Sequence, residues 1–179
     1  MLHAMTTARL HLRRPLPGDA PAFFDMFADA ETCRMDGGYP PYAAMDDAFD
    51  RDFASVLETA DDRLFLSEAA TGRLVGMLHV MPGGAHGEVE VGFVIHRALR
   101  RRGYAREAVT ALLGQLRDGG IARAVATCYA FNDASAALLL RLGFAEGAPE
   151  KAKKAKNIPH AAEKDLFAFS FSGKQKKRQ

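Results

Sequence analysis

The segment from His96 to Val109 is rich in positive charge, with five arginines within the ten residues from Arg97 to Arg106. Gly103 stands among them and lets the backbone turn tightly. Arginines beside the N–H groups of a helix start bind anions, above all phosphate or pyrophosphate. A Walker loop would end in Gly-Lys-Ser/Thr, and the glycines of a dinucleotide fingerprint are missing. The segment therefore predicts a phosphate site, with a solvated basic helix end as the alternative.

Two glutamates lie shortly before this segment, in the stretch EVEVGF. Strand alternation places Glu88 and Glu90 on one face and the apolar residues between and after them on the other. A carboxylate is one of the side chains that can act as a general base. We interpret Glu88 as part of a polar outer strand face, and Glu90 either in the same way or as a proton acceptor. His86 and Glu88 lack further ligands, so we predict no metal site.

The elements around these residues follow from the spacing of apolar side chains. EVEVGFVI is typical of a strand, and ARAVATCYAF of a second, buried strand. Between them, apolar residues recur at the spacing of one helix face: Ala105, Ala108, Val109, Leu112, Leu113 and Leu116. Strand, helix and strand across residues 88 to 131 predict a βαβ unit with two parallel strands. The arginine segment then lies at the helix start, where the first N–H groups lack helical partners.

The remainder of the chain also alternates between strand and helix patterns. We predict a strand at RLHLR, a helix over PGDAPAFFDMFADAE with Asp19 as N-cap, and a helix from Met45 to Leu57. RLFLSEA, RLVGMLHVM and EVEVGFVI are separated by turn residues, which favours an antiparallel meander. NDAS begins a short helix, and DLFAFSF forms a last strand. Together they predict one domain of mixed α+β class over residues 1–173, with a basic tail over 174–179.

Composition limits the class of protein. A chain of 179 residues, 48% apolar and 26% charged, has room for one core, and no apolar run reaches the length of a membrane span. The start MLHAMTTARL lacks the apolar core of a signal peptide, so we expect a cytoplasmic location. A net charge of +2 is too small to indicate a nucleic-acid partner. Cys33 and Cys128 are far apart and predict two reduced thiols.

Two longer stretches resemble a known family. LRRRGYAREAV, followed after one helix by YAFNDASAALLLRLGFAEG, resembles the acetyl-CoA-binding core of the GNAT superfamily of N-acetyltransferases. The family's Arg/Gln-x-x-Gly-x-Gly/Ala loop matches Arg100, Gly103 and Ala105. TARLHLRRPLPGDAPAFFDMF and the NDAS to LGF segment are similar to the RimJ/RimL-type branch, which includes acetyltransferases of ribosomal-protein N-termini. The resemblance implies the GNAT fold, a mixed, mostly antiparallel sheet with one parallel strand pair, flanked by helices.

The same resemblance implies where acetyl-CoA binds. The pantetheine arm would pair with the strand before the loop, at Phe93, Val94 and Ile95. The pyrophosphate would lie over the loop and helix start: Arg100, Arg101, Arg102, Gly103, Tyr104, Ala105 and Arg106. Asn132 would reach the arm from the second half of the site. Asn132 is also a typical N-cap with Ser135 at N3, and this cap alone is the alternative role.

Catalysis requires a proton acceptor for the amine and a donor or stabilising group for the departing thiolate. The resemblance assigns the first role to Glu90, directly or through water. Relatives often carry a tyrosine seven residues after the asparagine as the donor, but this chain has Leu139 there. Ser135 is one substitute and Tyr104 a weaker one, and release of a stabilised thiolate requires neither. Cys128 has no histidine nearby in sequence and is not expected to be a nucleophile.

The function that the resemblance implies is an N-acetyltransferase that transfers the acetyl group of acetyl-CoA directly to a primary amine in a ternary complex. A protein or peptide N-terminus is the expected acceptor. The alternatives are a small-molecule amine, such as a polyamine or drug-like amine, and a non-catalytic acyl-CoA-binding protein. We expect no nucleic-acid or membrane partner and leave a homodimer open. An acidic cluster from Asp46 to Asp62 forms a solvated helix face or else draws a cationic amine.

Overall fold

Residues 2–147 and 164–170 are described by a computed structural model of the chain. The strands are β1 Met5–Thr6, β2 Leu10–Arg13, β3 Arg63–Glu68, β4 Leu74–Pro82, β5 Glu88–Ile95, β6 Arg123–Tyr129, β7 Ala145–Glu146 and β8 Lys164–Ser170. The helices are α1 Ala20–Phe27, α2 Ala30–Asp36, α3 Asp47–Glu58, α4 Tyr104–Asp118 and α5 Asp133–Arg141. The tail predicted over residues 174–179 lies outside the described residues, and the single-domain boundary stays a prediction.

All eight described strands form one sheet, in the order β1-β2-β3-β4-β5-β6-β8-β7. The neighbouring pairs are antiparallel except for β5 and β6, which run parallel. Helix α4 connects these two strands, so the βαβ unit predicted from residues 88 to 131 is confirmed. The predicted fold class, a mixed and mostly antiparallel sheet with one parallel pair and flanking helices, is confirmed as well.

The two faces of the sheet carry separate apolar cores. On one face lies the apolar stripe of α4, whose buried members are Ala108, Val109, Leu112, Leu113 and Leu116. Ala105 packs against the same core and is only partly buried. Along β5, Val91 and Ile95 belong to the α4 core, whereas Val94 belongs to the core on the opposite face. Because side chains alternate along a strand, Glu90 lies on the same face as Val94.

Phenylalanines dominate the second core, between the sheet and α1–α3. Its buried rings are Phe23, Phe27, Phe49, Phe53 and Phe65. Phe49 stacks on Phe53 with ring centroids 5.9 Å apart, and Phe23 stacks on Phe65 at the same distance. Each such pair contributes about 0.5–1.5 kcal/mol beyond the burial of its area. These contacts hold α1–α3 against the face of the sheet that carries Glu90.

The helix predicted over PGDAPAFFDMFADAE is in fact two helices. α1 ends at Phe27, and Asp29 adopts an extended backbone with φ −86° and ψ 114°. The Asp29 carboxylate accepts a hydrogen bond of 2.7 Å from the Thr32 N–H and so caps α2. An aspartate competes well for the cap position, since its side chain satisfies an N–H group that the helix leaves free. The prediction of one continuous helix was therefore wrong, because the backbone leaves the helical conformation at Asp29.

Asp19 stands at the predicted N-cap position of α1, but its side chain makes no cap hydrogen bond. Its carboxylate accepts two hydrogen bonds of 2.7 Å from the Arg13 guanidinium and one of 2.8 Å from the Leu16 N–H. A bidentate arginine–carboxylate pair is stronger than a neutral cap bond, so the carboxylate turns toward β2 instead.

In the described residues, no helix is both long and apolar enough to cross a membrane.

Candidate active site

The sheet opens between β5 and β6 after three residue pairs. These pairs are Glu88 with Arg123, Val89 with Ala124 and Glu90 with Val125. Beyond them β6 continues beside β8, while β5, among the described strands, continues beside β4 alone. The stretch from Val91 to Ile95 therefore offers its second edge to an extended ligand over roughly 15 Å, at about 3.3 Å per residue. The predicted arm-binding residues Phe93, Val94 and Ile95 lie on this edge.

At the end of this edge the chain forms a loop with two left-handed residues. Arg101 has φ 65° and Gly103 has φ 84°, and α4 begins at Tyr104. Left-handed residues beside right-handed or extended ones turn successive N–H groups toward one side, which makes an anion-binding concavity. The first-turn N–H groups of α4 face the same region, and the helix dipole adds positive potential there. A left-handed arginine is uncommon, and such conformations concentrate at ligand-binding sites.

Two of the five arginines tie this loop to α2. Arg97 Nη1 lies 2.9 Å from Asp29 Oδ1. Arg100 donates to Glu31 Oε1 at 3.1 Å and to Thr32 Oγ1 at 2.7 Å. Partial burial alone would raise the pKa of Asp29, but hydrogen bonds from Arg97 and Thr32 lower it to about 2. The guanidinium of Arg100, a predicted acetyl-CoA contact, is thus engaged with α2, at partners distant in sequence.

The remaining arginines face solvent. Arg101, Arg102 and Arg106 are exposed, and the side chains of Arg101 and Arg106 have no hydrogen-bond or ion-pair partner within the described residues. The Arg102 carbonyl accepts a hydrogen bond of 2.9 Å from Arg9 Nη1, which fixes the loop backbone. Arg106 also lines an open groove of about 570 Å³ beside Gly103. Arg101 and Arg106 are therefore free to meet an anion over the loop, and Arg102, which donates a hydrogen bond of 3.4 Å to the Ala98 carbonyl, adds exposed charge beside them.

The two glutamates of β5 have different surroundings. Glu90 Oε1 accepts a hydrogen bond of 2.8 Å from Thr127 Oγ1 on β6, at the point where the two strands separate. Glu88 pairs with Arg123 and accepts a hydrogen bond of 3.0 Å from the Gly84 N–H. The Glu88 side chain is only 8% exposed, so the polar outer face predicted for it is wrong. The Arg123 side chain and the β4–β5 turn at Gly83 and Gly84 enclose this carboxylate.

A family model described as an acetyltransferase (GNAT) domain matches residues 9–145, which include the opened strand pair and the arginine loop. The chain belongs to the GNAT acetyltransferase family. The predicted family membership, and with it the prediction of an acetyltransferase, is confirmed. No curated protein gives a significant match to the sequence.

Solved GNAT structures share the fold over nearly the whole chain. A probable acetyltransferase from Chromobacterium violaceum is 26% identical with a TM-score of 0.78, covering 93% of this chain and 85% of its own. A putative ribosomal-protein-serine acetyltransferase from Vibrio cholerae is 21% identical with a TM-score of 0.76, covering 94% and 97%. The ribosomal-protein alpha-N acetyltransferase RimL, in complex with coenzyme A, is 16% identical with a TM-score of 0.75, covering 94% and 98%.

The second half of this GNAT site begins at Asn132. Its Oδ1 accepts a hydrogen bond of 3.1 Å from the Ser135 N–H, so the predicted N-cap of α5 is confirmed. The amide Nδ2 makes no hydrogen bond within the described residues and remains available to a ligand. Leu139, at the position of the tyrosine found in relatives, is fully buried in the α4 core. Ser135 is half-buried in the first turn of α5, and its role as a donor stays a prediction.

Tyr104 is oriented toward another part of the molecule. Its hydroxyl donates a hydrogen bond to Glu68 at the end of β3, and the Arg9 guanidinium lies 4.8 Å from its ring centre. The hydrogen bond to Glu68, with burial as a second cause, raises the pKa of Tyr104. The hydroxyl therefore holds its proton against Glu68 and does not face the opening between β5 and β6. This geometry disfavours Tyr104 as the donor to a departing thiolate.

Two residues near the opening escaped the sequence analysis. His79 pairs with Gly92 across β4 and β5, and a β-carbon on Gly92 would lie 2.0 Å from His79 Nε2. Asp36 ends α2 and accepts a hydrogen bond from the Tyr39 hydroxyl. Burial lowers the pKa of His79, whereas the charges of Asp36 and Glu90 raise it. Finding His79 requires the cross-strand register of the β4–β5 hairpin, which the pattern of either strand alone does not give.

The mouth of the opening is bordered by a cation over an aromatic ring. Arg34 on α2 lies 4.6 Å from the ring centre of Phe131, which stacks on Tyr129 at 5.1 Å. This contact joins α2 to the connection between β6 and α5, on the two sides of the opening.

Within the described residues, no group of three or more His, Cys, Asp or Glu side chains is placed to hold a metal ion.

Proposed function

We propose that this GNAT protein transfers the acetyl group of acetyl-CoA to the α-amino group of a protein or peptide. The observation that carries the proposal is the continuity between the free edge of β5 and the left-handed arginine loop at its end. An extended amide-bearing arm that pairs with the edge would place its terminal phosphates over the loop. Acetyl-CoA has this shape, and RimL, which shares the fold, is solved with coenzyme A.

The loop supports pyrophosphate binding by backbone and side chains together. Gly103 and Arg101 turn N–H groups outward, and Arg101, Arg102 and Arg106 bring exposed positive charge. Arg100 contributes differently from the sequence-based expectation, because it holds the loop on α2 and leaves the contact to the backbone. Phe93, Val94 and Ile95 would pair with the arm, and Asn132 Nδ2 would donate to it from the opposite side.

Proton transfer to a carboxylate supports catalysis at the point where the strands separate. Glu90 is half-buried there and is held by Thr127, so its negative charge lies beside the opening. We assign to it the removal of a proton from the acceptor ammonium, directly or through an intermediate group. Ser135 is the candidate donor on the α5 side. The amine then attacks the thioester directly, without an acyl-enzyme.

Two carboxylates near His79 favour a cationic amine as the acceptor. Asp36 and Glu90 are both placed near His79 at the opening, and both attract an ammonium group. An α-amine has a reference pKa of about 7.7–8.0, against about 10.4 for lysine, so more of it is already nucleophilic at neutral pH. The ribosomal-protein acetyltransferases among the structures with this fold support the same class of acceptor.

The proposal is tested with two versions of one peptide, one with a free N-terminus and a blocked lysine, the other with a blocked N-terminus and a free lysine. Acetyl-CoA-dependent CoA release and mass spectrometry of the product are measured at neutral pH. We expect the free N-terminus to be acetylated faster. Preferential lysine acetylation, or turnover only with a polyamine or drug-like amine, would overturn the acceptor. Saturable acetyl-CoA binding without turnover of any amine would indicate a non-catalytic binder.

A further inference from the structure

We propose that His79 accepts the proton of the acceptor ammonium, with Glu90 and Asp36 stabilising the imidazolium that forms. This inference rests on the proposed function and names the group through which Glu90 acts. His79 is partly exposed, and it lies on β4 at the center of a cluster of three charged side chains.

The position of the ring follows from strand register. His79 stands opposite Gly92, and the ring occupies the space that a side chain at this position would fill, 2.0 Å from an ideal β-carbon to Nε2 and 2.1 Å to Cε1. Gly92 comes two residues after Glu90, which forms the last pair with β6. The imidazole therefore crosses β5 where the sheet begins to open. This is the end of the free edge at which the acetyl group of the proposed ligand would lie.

The charged groups around His79 come from three elements. Arg63 stands directly beside it on β3, Glu90 lies on β5 two residues from Gly92, and Asp36 ends α2. Cross-strand diagonal neighbours such as His79 and Glu90 are typically about 7 Å apart at their Cα atoms, within reach of long side chains. Two carboxylates against one guanidinium leave the surroundings of the ring net negative.

These surroundings suit a base that is neutral at rest. Burial, the largest effect, lowers the pKa of His79, and Arg63 lowers it further, whereas Asp36 and Glu90 raise it. At neutral pH the ring is therefore uncharged and one nitrogen carries a free lone pair. Once the ring takes a proton, the carboxylates on two sides stabilise its charge. A ring that only filled space over Gly92 would need no charged partners.

The proposed step is balanced in protons and electrons. The imidazole takes one proton from the ammonium, and the freed lone pair of the nitrogen attacks the thioester carbonyl carbon. The carbon–nitrogen bond forms as the carbon–sulfur bond breaks, and the electron pair of that bond leaves on sulfur. The nitrogen then loses a second proton, which protonates the thiolate, and the imidazolium returns its own proton to solvent.

The test compares His79→Gln with the wild type and with His86→Gln, an exposed histidine of the β4–β5 turn. CoA release is followed with saturating acetyl-CoA and the free-N-terminus peptide between pH 5.5 and 9. We expect kcat/KM of His79→Gln to fall by about 100-fold at pH 6.5, where most of the amine is protonated. The loss shrinks to a few-fold near pH 9, while acetyl-CoA affinity stays unchanged. His86→Gln behaves like the wild type.

A structural role for His79 predicts a different result, namely the same loss at every pH or no loss, and either would overturn the proposal. Added imidazole should accelerate His79→Ala in proportion to its concentration, and no acceleration counts against a base at this place. If neither variant folds, NMR titration of the wild type decides, since a ring with a pKa well above about 7 is mostly protonated at neutral pH and is not the base.

The experiment distinguishes an error in the proposed acceptor from an error in the proposed base. A wild type that acetylates only another amine overturns the proposed acceptor, and the comparison of His79→Gln with His86→Gln is then made with that amine. A wild type that turns over the peptide, with a His79→Gln rate and pH profile that match it, overturns the base alone. Absence of turnover with any amine overturns both.

Discussion

Replacing Gly103 by valine tests whether the backbone of the arginine loop binds the pyrophosphate. Gly103 has φ 84°, and an added β-carbon would lie 3.3 Å from Arg9 Nη2, the guanidinium that holds the loop backbone. A left-handed conformation costs an L-residue about 1–2 kcal/mol, and a β-branched one more. Because Arg9 crowds the new side chain as well, the loop relaxes by turning its peptide groups. The N–H groups that now face outward then point elsewhere.

The magnitude follows from the hydrogen bonds that are lost. A hydrogen bond from a backbone N–H to a charged group contributes about 1.5 kcal/mol or more, and one or two of them face the ligand from this turn. Since 1.4 kcal/mol corresponds to a tenfold change in affinity, Gly103→Val should weaken CoA binding by about 10- to 150-fold. Acetyl-pantetheine lacks the pyrophosphate, so its KM should change little.

Calorimetric titration with CoA, together with steady-state kinetics on acetyl-CoA and acetyl-pantetheine, measures both effects. The matched control is Gly120→Val, because Gly120 also has φ 84° but lies beyond the far end of α4, with no atom within 4 Å of an added β-carbon. It should lose stability to a similar extent and keep its CoA affinity. A folded Gly103→Val with wild-type CoA affinity would refute the placement of the pyrophosphate.

Two further predictions concern Glu90 and Asp29. Glu90→Gln keeps an oxygen for the Thr127 hydroxyl but removes the charge, so turnover should fall about 10- to 100-fold near pH 6.5 with little change in acetyl-CoA affinity; equal pH–rate profiles would remove Glu90 from the mechanism. Asp29→Asn keeps a cap for α2 but loses the ion pair with Arg97. Because the pKa of Asp29 in the folded protein, about 2, lies below its ordinary value of 3.8, the pair stabilises at neutral pH, and its contribution disappears as pH falls from about 4 to 2. The exposed Arg97 weakens the pair, so denaturant unfolding should show a loss of about 1 kcal/mol at pH 7 that has largely disappeared at pH 2. An unchanged difference between wild type and variant across this range would contradict it.

Local periodicity predicted the framework well. The apolar stripe of α4 and the strand patterns on either side establish the βαβ unit, and they place the arginine loop at the start of a helix, because each depends on neighbours within a few residues. The N-cap role of Asn132 was predictable for the same reason. These are the features in which a residue's type and its nearest neighbours decide the structure.

Contacts between distant segments were not predictable in this way. Arg100 binds Glu31 and Thr32 because α2 packs beside the loop, and nothing near Arg100 in sequence indicates it. Asp19 turned from its expected cap to Arg13, since a charged partner on a neighbouring element was available. His79 reaches the opening through a hairpin register that a single strand pattern does not contain. In each case tertiary packing selects one contact among several that the local sequence allows equally well.

The attachment of the arginine loop to α2 has a thermodynamic consequence. Arg97 and Arg100 anchor the loop on the first turn of α2, and Asp36 at the last residue of the same short helix borders the opening. One rigid element thus touches the places proposed for both substrates. To the extent that binding of one substrate shifts this helix, it changes the affinity for the other, and reciprocity requires the two affinities to change by the same factor. The strength of this coupling would then be set by a pair of arginines whose side chains bind α2 and neither substrate.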